Sequence, residues 1–269
     1  MRELLRISGI TKIYETAGKK VVGVENVSFS VDEGEFISII GPSGCGKSTL
    51  LRCIAGFEKI SSGSVTISEK TVTKPGPDRF MIFQGLDQLF PWLTVAENIK
   101  FAMSAVRGKN LSGRFQEDAE RYLEMVGLSG CGGYYPYQLS GGMKQRASIA
   151  RALSVNPRVL LMDEPFGSLD AFSRRAVHQM LVKVWESTGI TIIFVTHDVE
   201  EAVDLSDRIL VFSPGRLRAD VANPLSRPRK RNTEAYREFM DKLGGLLDGG
   251  VKEISEPAGL AAPEVNLAY

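Results

Sequence analysis

Cysteine, histidine and tryptophan are all scarce in this 269-residue chain, which holds three, two and two of them. The cysteines, Cys45, Cys53 and Cys131, form no C-x-x-C pair. That argues against a disulfide framework or a zinc site, and for free thiols in a reducing compartment. Net charge is nearly absent: 33 Lys and Arg stand against 32 Asp and Glu, so no bulk field draws the chain to nucleic acid or membrane. Long apolar runs are missing too. No stretch approaches the roughly 20 apolar residues that span a bilayer, and Met1–Arg6 opens neither an apolar signal region nor a cleavage site. The expectation is a cytosolic protein whose membrane role, if any, needs a partner. No internal repeat or heptad array interrupts the pattern. The 43% hydrophobic composition suffices for one large core or two lobes.

What is present centres on Gly41-Pro42-Ser43-Gly44-Cys45-Gly46-Lys47-Ser48-Thr49, which fits the phosphate-loop pattern G-x-x-x-x-G-K-[ST]. Phe36–Ile40 before it reads as a buried strand. Ser48–Ala55 after it reads as a helix closed by Gly56. Small residues let successive backbone N–H groups turn inward, and the free amides and dipole of the helix start favour an anion. Lys47 is expected to reach the β- and γ-phosphates and Ser48 to ligate Mg²⁺.

The remaining motifs follow in chain order. Residues 4–40 read as short strands, with Tyr14 either a half-buried strand aromatic or a platform for a flat base. Gly63–Ser68 and Arg79–Phe83 are further strands, the second ending at Gln84, an amide suited to Mg²⁺ or a water. Residues 86–145 carry helical spacing and a Thr94–Glu97 capping box, so they read as a helical insertion. Phe90–Leu93 before it is expected to be core rather than interface. Ser140-Gly141-Gly142 opens a helix and is a second candidate anion cradle. Val159–Met162 reads as a strand buried on both faces, ending in Asp163 and Glu164, a carboxylate pair suited to Mg²⁺ and to polarising water. Asp170 or Ser173 caps the next helix. Of the two histidines, His178 borders an apolar stripe and reads as structural. His197 ends the strand Ile190–Val195, at the edge where open α/β sheets bind ligands. The basic run Arg227–Arg231 is expected to be a solvated tail, with contact to anionic lipid as the alternative. A helix over Thr233–Leu247 and a disordered end over 248–269 complete the reading.

Together these motifs resemble the ATP-binding subunit of ABC transporters over roughly residues 4–230. The resemblance implies a P-loop NTPase with a RecA-like α/β core, an antiparallel β subdomain and a helical subdomain inserted at about 86–145. The domain would span 1–230, and the helix and tail 231–269. It implies ATP and Mg²⁺ as cofactors, with Tyr14 stacking adenine, Gly41–Thr49 on the phosphates, and Ser48, Gln84 and Asp163 around the metal. Glu164 would activate water, Asp170 would lie in the D-loop, and His197 would sense the γ-phosphate. One departure is Met143-Lys144, where many members carry Gln after the glycine pair.

The resemblance also implies a head-to-tail homodimer or paired ATPase subunit, with Ser140, Gly141 and Gly142 offered to the partner's nucleotide across the interface. The helical insertion separates them from their own Lys47. A narrower resemblance, carried by Gln84–Thr94, Phe212–Arg216 and Pro224–Arg229, is to the ATPases of nitrate, sulfonate and taurine importers. It implies polytopic membrane permease subunits, a periplasmic or extracellular solute-binding protein, no nucleic acid, and a peripheral place on the cytoplasmic face of the cell membrane. The face near Gln84 and Phe90–Trp92 would then receive the permease. An exporting cassette, or a soluble cassette acting on DNA or ribosomes, is the alternative. The second usually shows coiled coils, zinc motifs or duplicated cassettes, which are missing here.

Overall fold

A computed structural model describes residues 2–16, 18–107 and 115–249. Two long strands, β1 (Glu3–Thr16) and β2 (Lys19–Asp32), pair antiparallel, and β4 (Ser62–Ile67) and β5 (Lys70–Thr71) extend them to a sheet ordered β2-β1-β4-β5. The second sheet has six strands. β6 (Arg79–Ile82), β7 (Val159–Asp163), β8 (Thr191–Val195), β3 (Phe36–Ile40) and β9 (Arg208–Ser213) run parallel, and β10 (Arg216–Ala222) closes one edge antiparallel.

Why the central strands are apolar at most positions follows from the two faces of this sheet. Side chains alternate between faces. Phe36, Leu160, Met162, Ile192 and Phe194 pack into one core with the helices. Ile37, Ile39, Val159, Leu161, Ile193 and Val195 pack into another with the antiparallel sheet and α1 (Lys47–Ala55). Each strand position thus has a hydrophobic partner whichever way it points, and each buried Leu, Ile or Phe contributes about 1.5–3 kcal/mol.

Between β6 and β7 the chain is helical. α2 (Val95–Arg107) and α3 (Phe115–Met125) precede a short 3₁₀ turn at Pro136–Gln138 and then α4 (Gly141–Ser154). The capping box closes as expected: Thr94 N donates to Glu97 at 2.8 Å and Glu97 N to Thr94 Oγ1 at 3.3 Å. α5 (Ala171–Thr188) and α6 (Val199–Leu205) flank β8, and α7 (Glu234–Asp248) packs on α6 and β9 through Tyr236, Phe239 and Leu243. The tail read from sequence as disordered falls, for residues 250–269, outside the described residues.

Three expectations fail. The short strands read over residues 4–40 are instead dominated by β1 and β2, each 14 residues long, because their antiparallel pairing carries both through several register shifts. Trp92 is not core: it is 70% exposed. Buried Asn98 holds the Phe90–Thr94 loop by accepting from Phe90 N and donating to the carbonyls of Phe90, Leu93 and Thr94, and Trp92 stands outside that knot. The basic run is not a solvated tail. Arg227 stacks 4.4 Å over Trp185 and pairs with Asp207 at 2.7 Å, the Arg229 side chain is 3% exposed, and Arg231 pairs with Asp204 and Glu200. α6 and the turn after it supply enough carboxylates and carbonyls to bind these cations, which composition alone does not reveal.

Candidate nucleotide site

Four parallel strands deliver their C-terminal ends to one edge. β3 runs into Gly41, β7 into Glu164, β8 into Thr196 and His197, and β6 into Phe83 and Gln84. The register makes neighbours of distant residues, since Asp163 lies opposite Val195 and Ile39 also pairs Val195. Open α/β sheets bind ligands at this edge.

The phosphate loop wraps the start of α1. Gly46, which caps the helix, has φ +104, and a side chain there would meet the Gly23 carbonyl oxygen at 2.1 Å. Only glycine fits, and its absence of bulk brings the loop against β2. Lys47 is buried, with Nζ donating to the carbonyls of Gly41 at 2.8 Å and Pro42 at 2.9 Å. Pro42, Ser43 and Gly44 are exposed at the loop's crest, while Cys45 turns inward, where burial pushes its thiol up. Tyr14 and Thr49 come together: a Cβ on Gly23 would lie 3.0 Å from the Tyr14 ring and 3.2 Å from Thr49 Cγ2. Tyr14 is half-buried, with the Lys12 ammonium 4.6 Å from its ring centre.

Ser48 Oγ donates to Asp163 Oδ1 at 2.8 Å. Burial pushes the Asp163 carboxyl up, more than Ser48's bond and the charge of Arg52 draw it down. Glu164 has φ +42, a left-handed conformation that a non-glycine residue adopts at a cost of about 1–3 kcal/mol and that concentrates at functional sites. Its Oε2 lies 3.0 Å from His197 Nδ1, and His197 is largely exposed. Gln84 is exposed just past β6, in a loop fixed by Gln88, which accepts from Phe83 N and donates to the carbonyls of Phe83 and Gly85.

The Ser-Gly-Gly turn opens α4, with Ser140 exposed and Gly142 buried. Ser140 Oγ caps α4 by accepting from Met143 N at 3.3 Å. Gly141 lies against Leu86 and Leu169, and Gly142 against Ser173. Asp170 caps α5, accepting from Phe172 N at 3.0 Å and Ser173 N at 2.9 Å, and the Ser173 hydroxyl, with these backbone bonds, holds its carboxyl below the usual range. The turn therefore abuts the loop bearing Asp170. His178 is structural, as read: its ring packs on Phe166 at 4.8 Å.

Sequence reasoning missed the surroundings of Glu201. This side chain is 6% exposed and accepts from Thr196 Oγ1 at 2.7 Å. The local sequence carried no signal for it: Asp198 caps α6, but its own N–H goes to Thr196 Oγ1 at 3.0 Å and not to Glu201.

Strand, glycine loop, helix and an acidic strand end bonded to the loop's serine define a P-loop NTPase. The profile of the ABC transporter family matches residues 24–167. The chain is 42% identical over 253 residues to an aliphatic sulfonates import ATP-binding protein, SsuB, of Bacillus cereus, covering 91% of this chain and 98% of the relative. It is 43% identical to the bicarbonate transport ATP-binding protein CmpD of Synechocystis sp., covering 85% and 82%. Its identity to the nitrate import ATP-binding protein NrtD from the same source is 40%, covering 94% and 98%. Among solved structures, the ATP-binding cassette MJ0796, a dimer in a post-hydrolysis state bound to ADP and Pi, matches with TM-score 0.72 and 32% identity over 81% of this chain and 98% of that one. The chain belongs to the ABC transporter family, as one of its ATP-binding, ATP-hydrolysing cassettes. Among the described residues, no helix is long and apolar enough to cross a membrane.

Proposed function

We propose that a head-to-tail pair of these cassettes hydrolyses MgATP at two shared sites on the cytoplasmic face of the cell membrane. The energy drives uptake of a small anionic or organic solute through polytopic membrane subunits supplied by a solute-binding protein. The observation that carries this reading is the double pairing at the sheet edge, Ser48 with Asp163 and Glu164 with His197. It unites a phosphate loop, a metal-type carboxylate, a general-base carboxylate and a second γ-phosphate group. Relatives named for sulfonate, bicarbonate and nitrate support a small oxyanion as the solute.

In this reading the amides of Gly41–Thr49 and Lys47 hold the phosphates, and Tyr14 stacks the adenine. Ser48, Asp163 and Gln84 are hard oxygen donors and fit Mg²⁺. Bound there, the ion would supply positive charge against the charge developing in the transition state. Glu164 orients and polarises the attacking water, and His197, steadied by Glu164, meets the γ-phosphate. Ser140, Gly141 and Gly142 present a hydroxyl and a helix start to the partner's nucleotide, and Asp170 holds the neighbouring loop against them. Positioning and electrostatics supply most of the acceleration, as in phosphoryl transfer generally.

The membrane subunits dock, in this reading, at a groove of about 550 Å³ lined by Phe57, Phe83, Gln84, Phe90 and Arg151. Phe57 and Phe83 are exposed, their rings tilted against each other at 5.5 Å, and Trp92 stands beside Phe90 at 5.4 Å. Gln84 belongs to both groove and nucleotide site, so movement at one is felt at the other. The test is size-exclusion chromatography of Glu164→Gln with MgATP, where a nucleotide-dependent dimer is expected. An obligate monomer that hydrolyses ATP at full rate and is indifferent to replacement of Ser140 would overturn the reading.

A further inference from the structure

Glu201 lies in the first turn of α6, buried, and none of the nucleotide motifs needs a carboxylate there. Three side chains from two segments converge on it. Thr196, after β8, donates to Oε2. From α5, His178 Nε2 stands 3.3 Å from Oε1 and Arg174 Nε 3.7 Å from the same oxygen. Arg174 also reaches Asp198 at 3.8 Å and donates to the Leu169 carbonyl at 3.1 Å. Asp198 N donates back to Thr196 Oγ1 at 3.0 Å. Burial alone would raise the Glu201 carboxyl, but the contacts from His178, Thr196 and Arg174 outweigh it and hold it below the usual range. Glu201 is therefore a buried anion at neutral pH, stabilised by partners from both sides.

These partners join the two halves of the site. Arg174 follows the Asp170 cap by one helical turn, and its bond to Leu169 fastens it to that loop. Thr196 and Asp198 bracket His197. Phe166, two residues after Glu164, rests on His178. The cluster is thus one step from Glu164, Asp170 and His197 without being any of them.

We propose that Glu201 is a positioning residue. With Arg174 and Thr196 it couples the loop of Asp170 to the loop of His197, so that contact with the partner cassette near Asp170 sets the place of His197 at the γ-phosphate. This rests on the composite site proposed above. Two buried donors support a joint with a second setting: Arg174 Nε and His178 Nε2 face Oε1 without closing a hydrogen bond. Buried donors are rarely left so.

The chain's two histidines make the test readable, because imidazole ¹⁵N NMR separates them. Glu201→Gln keeps the shape and removes the charge. Its expected result is displacement of the His197 resonances as well as those of His178, the only histidine it contacts. Turnover of MgATP should fall about ten-fold while affinity stays within about two-fold, the size of coupling that residues outside a site carry. Arg174→Lys, distant from His197 in sequence, should move His197 the same way by less, and it serves if Glu201→Gln folds poorly. Displacement of His178 alone, or unchanged turnover per folded molecule, would overturn the proposal. A wild-type chain without MgATP hydrolysis would instead overturn the composite site, and the NMR comparison would still decide whether Glu201 governs His197.

Discussion

Ser48 Oγ and Asp163 Oδ1 are 2.8 Å apart although 115 positions separate them along the chain. The bond closes the phosphate loop onto the end of β7 and sets a hydroxyl and a carboxylate oxygen side by side. It holds a carboxylate in surroundings that resist its charge, because burial raises the Asp163 carboxyl. A folded value above the unfolded one means that Asp163 does not destabilise the free protein below the ordinary carboxylate value of about 3.9. The destabilisation grows as pH rises through the raised folded value and is complete above it. Asp163→Asn is therefore expected to raise the thermal midpoint of the nucleotide-free protein at pH 7 and to leave it nearly unchanged near pH 3. The same variant should lose Mg²⁺-dependent hydrolysis by roughly a hundred-fold or more, as expected for removal of several kcal/mol of charge stabilisation. Calorimetry across pH, beside a phosphate-release assay, checks both halves.

Glu164 touches His197 and stands in the left-handed region. Glu164→Gln keeps the size and the contact distance but cannot accept a proton. Turnover should fall by about 10²–10⁴, the usual range for a general base. MgATP affinity should persist, because Lys47 and the loop amides are untouched. Equilibrium binding of a fluorescent ATP analogue with single-turnover hydrolysis separates the two. Equal losses in binding and turnover would assign Glu164 to holding nucleotide instead.

Much of this architecture was legible in the sequence, for a physical reason. The nucleotide motifs are contiguous: a glycine loop must be local to form a nest of amides, and an acidic strand end must follow its strand. The doubly buried β7 announced itself as an unbroken apolar run over Val159–Met162, and β8 as an apolar run broken only by Thr191. What was hidden depends on contacts between segments. Glu201 is recognised only when α5 and the β8 loop lie against it. Arg227 and Arg229 look solvated until Trp185 and Asp207 are brought beneath them. Trp92 read as core because size and apolarity do not reveal that Asn98 has already closed the loop beneath it.

The basic run should accordingly act as a clasp. Arg227 lies over Trp185 and bonds the Leu205 carbonyl and Asp207. Arg227→Ala is expected to cost about 1–3 kcal/mol through the lost stacking and the unpaired partners, lowering the thermal midpoint by roughly 2–10 °C. Lys230→Ala should leave the midpoint unchanged, since Lys230 is exposed and its side chain makes none of these bonds. Sedimentation with anionic vesicles tests the lipid alternative: if Lys230→Ala or Arg227→Ala released the protein from vesicles without changing its midpoint, the run would be a membrane contact and not a clasp.

Trp92 gives the sharpest separation of ATP chemistry from transport. It is 70% exposed and, among the described residues, its ring meets that of Phe90 alone, whose ring also meets Phe101 at 5.0 Å. A ring of that size left in water beside an aromatic groove is what a central anchor of an interface looks like before its partner arrives. Trp92→Glu alters none of the groups assigned to the nucleotide, so basal hydrolysis by the purified chain should stay within about two-fold and stability within about 0.5 kcal/mol, as for surface changes generally. Solute uptake by cells carrying the variant should fall by ten-fold or more, the consequence of losing an anchor of about 2 kcal/mol. Co-purification of the cassette with its membrane subunits should weaken in step. Uptake at the wild-type rate with Glu at position 92 would move the docking face away from this groove, and with it the argument that Gln84 reports nucleotide state to the membrane.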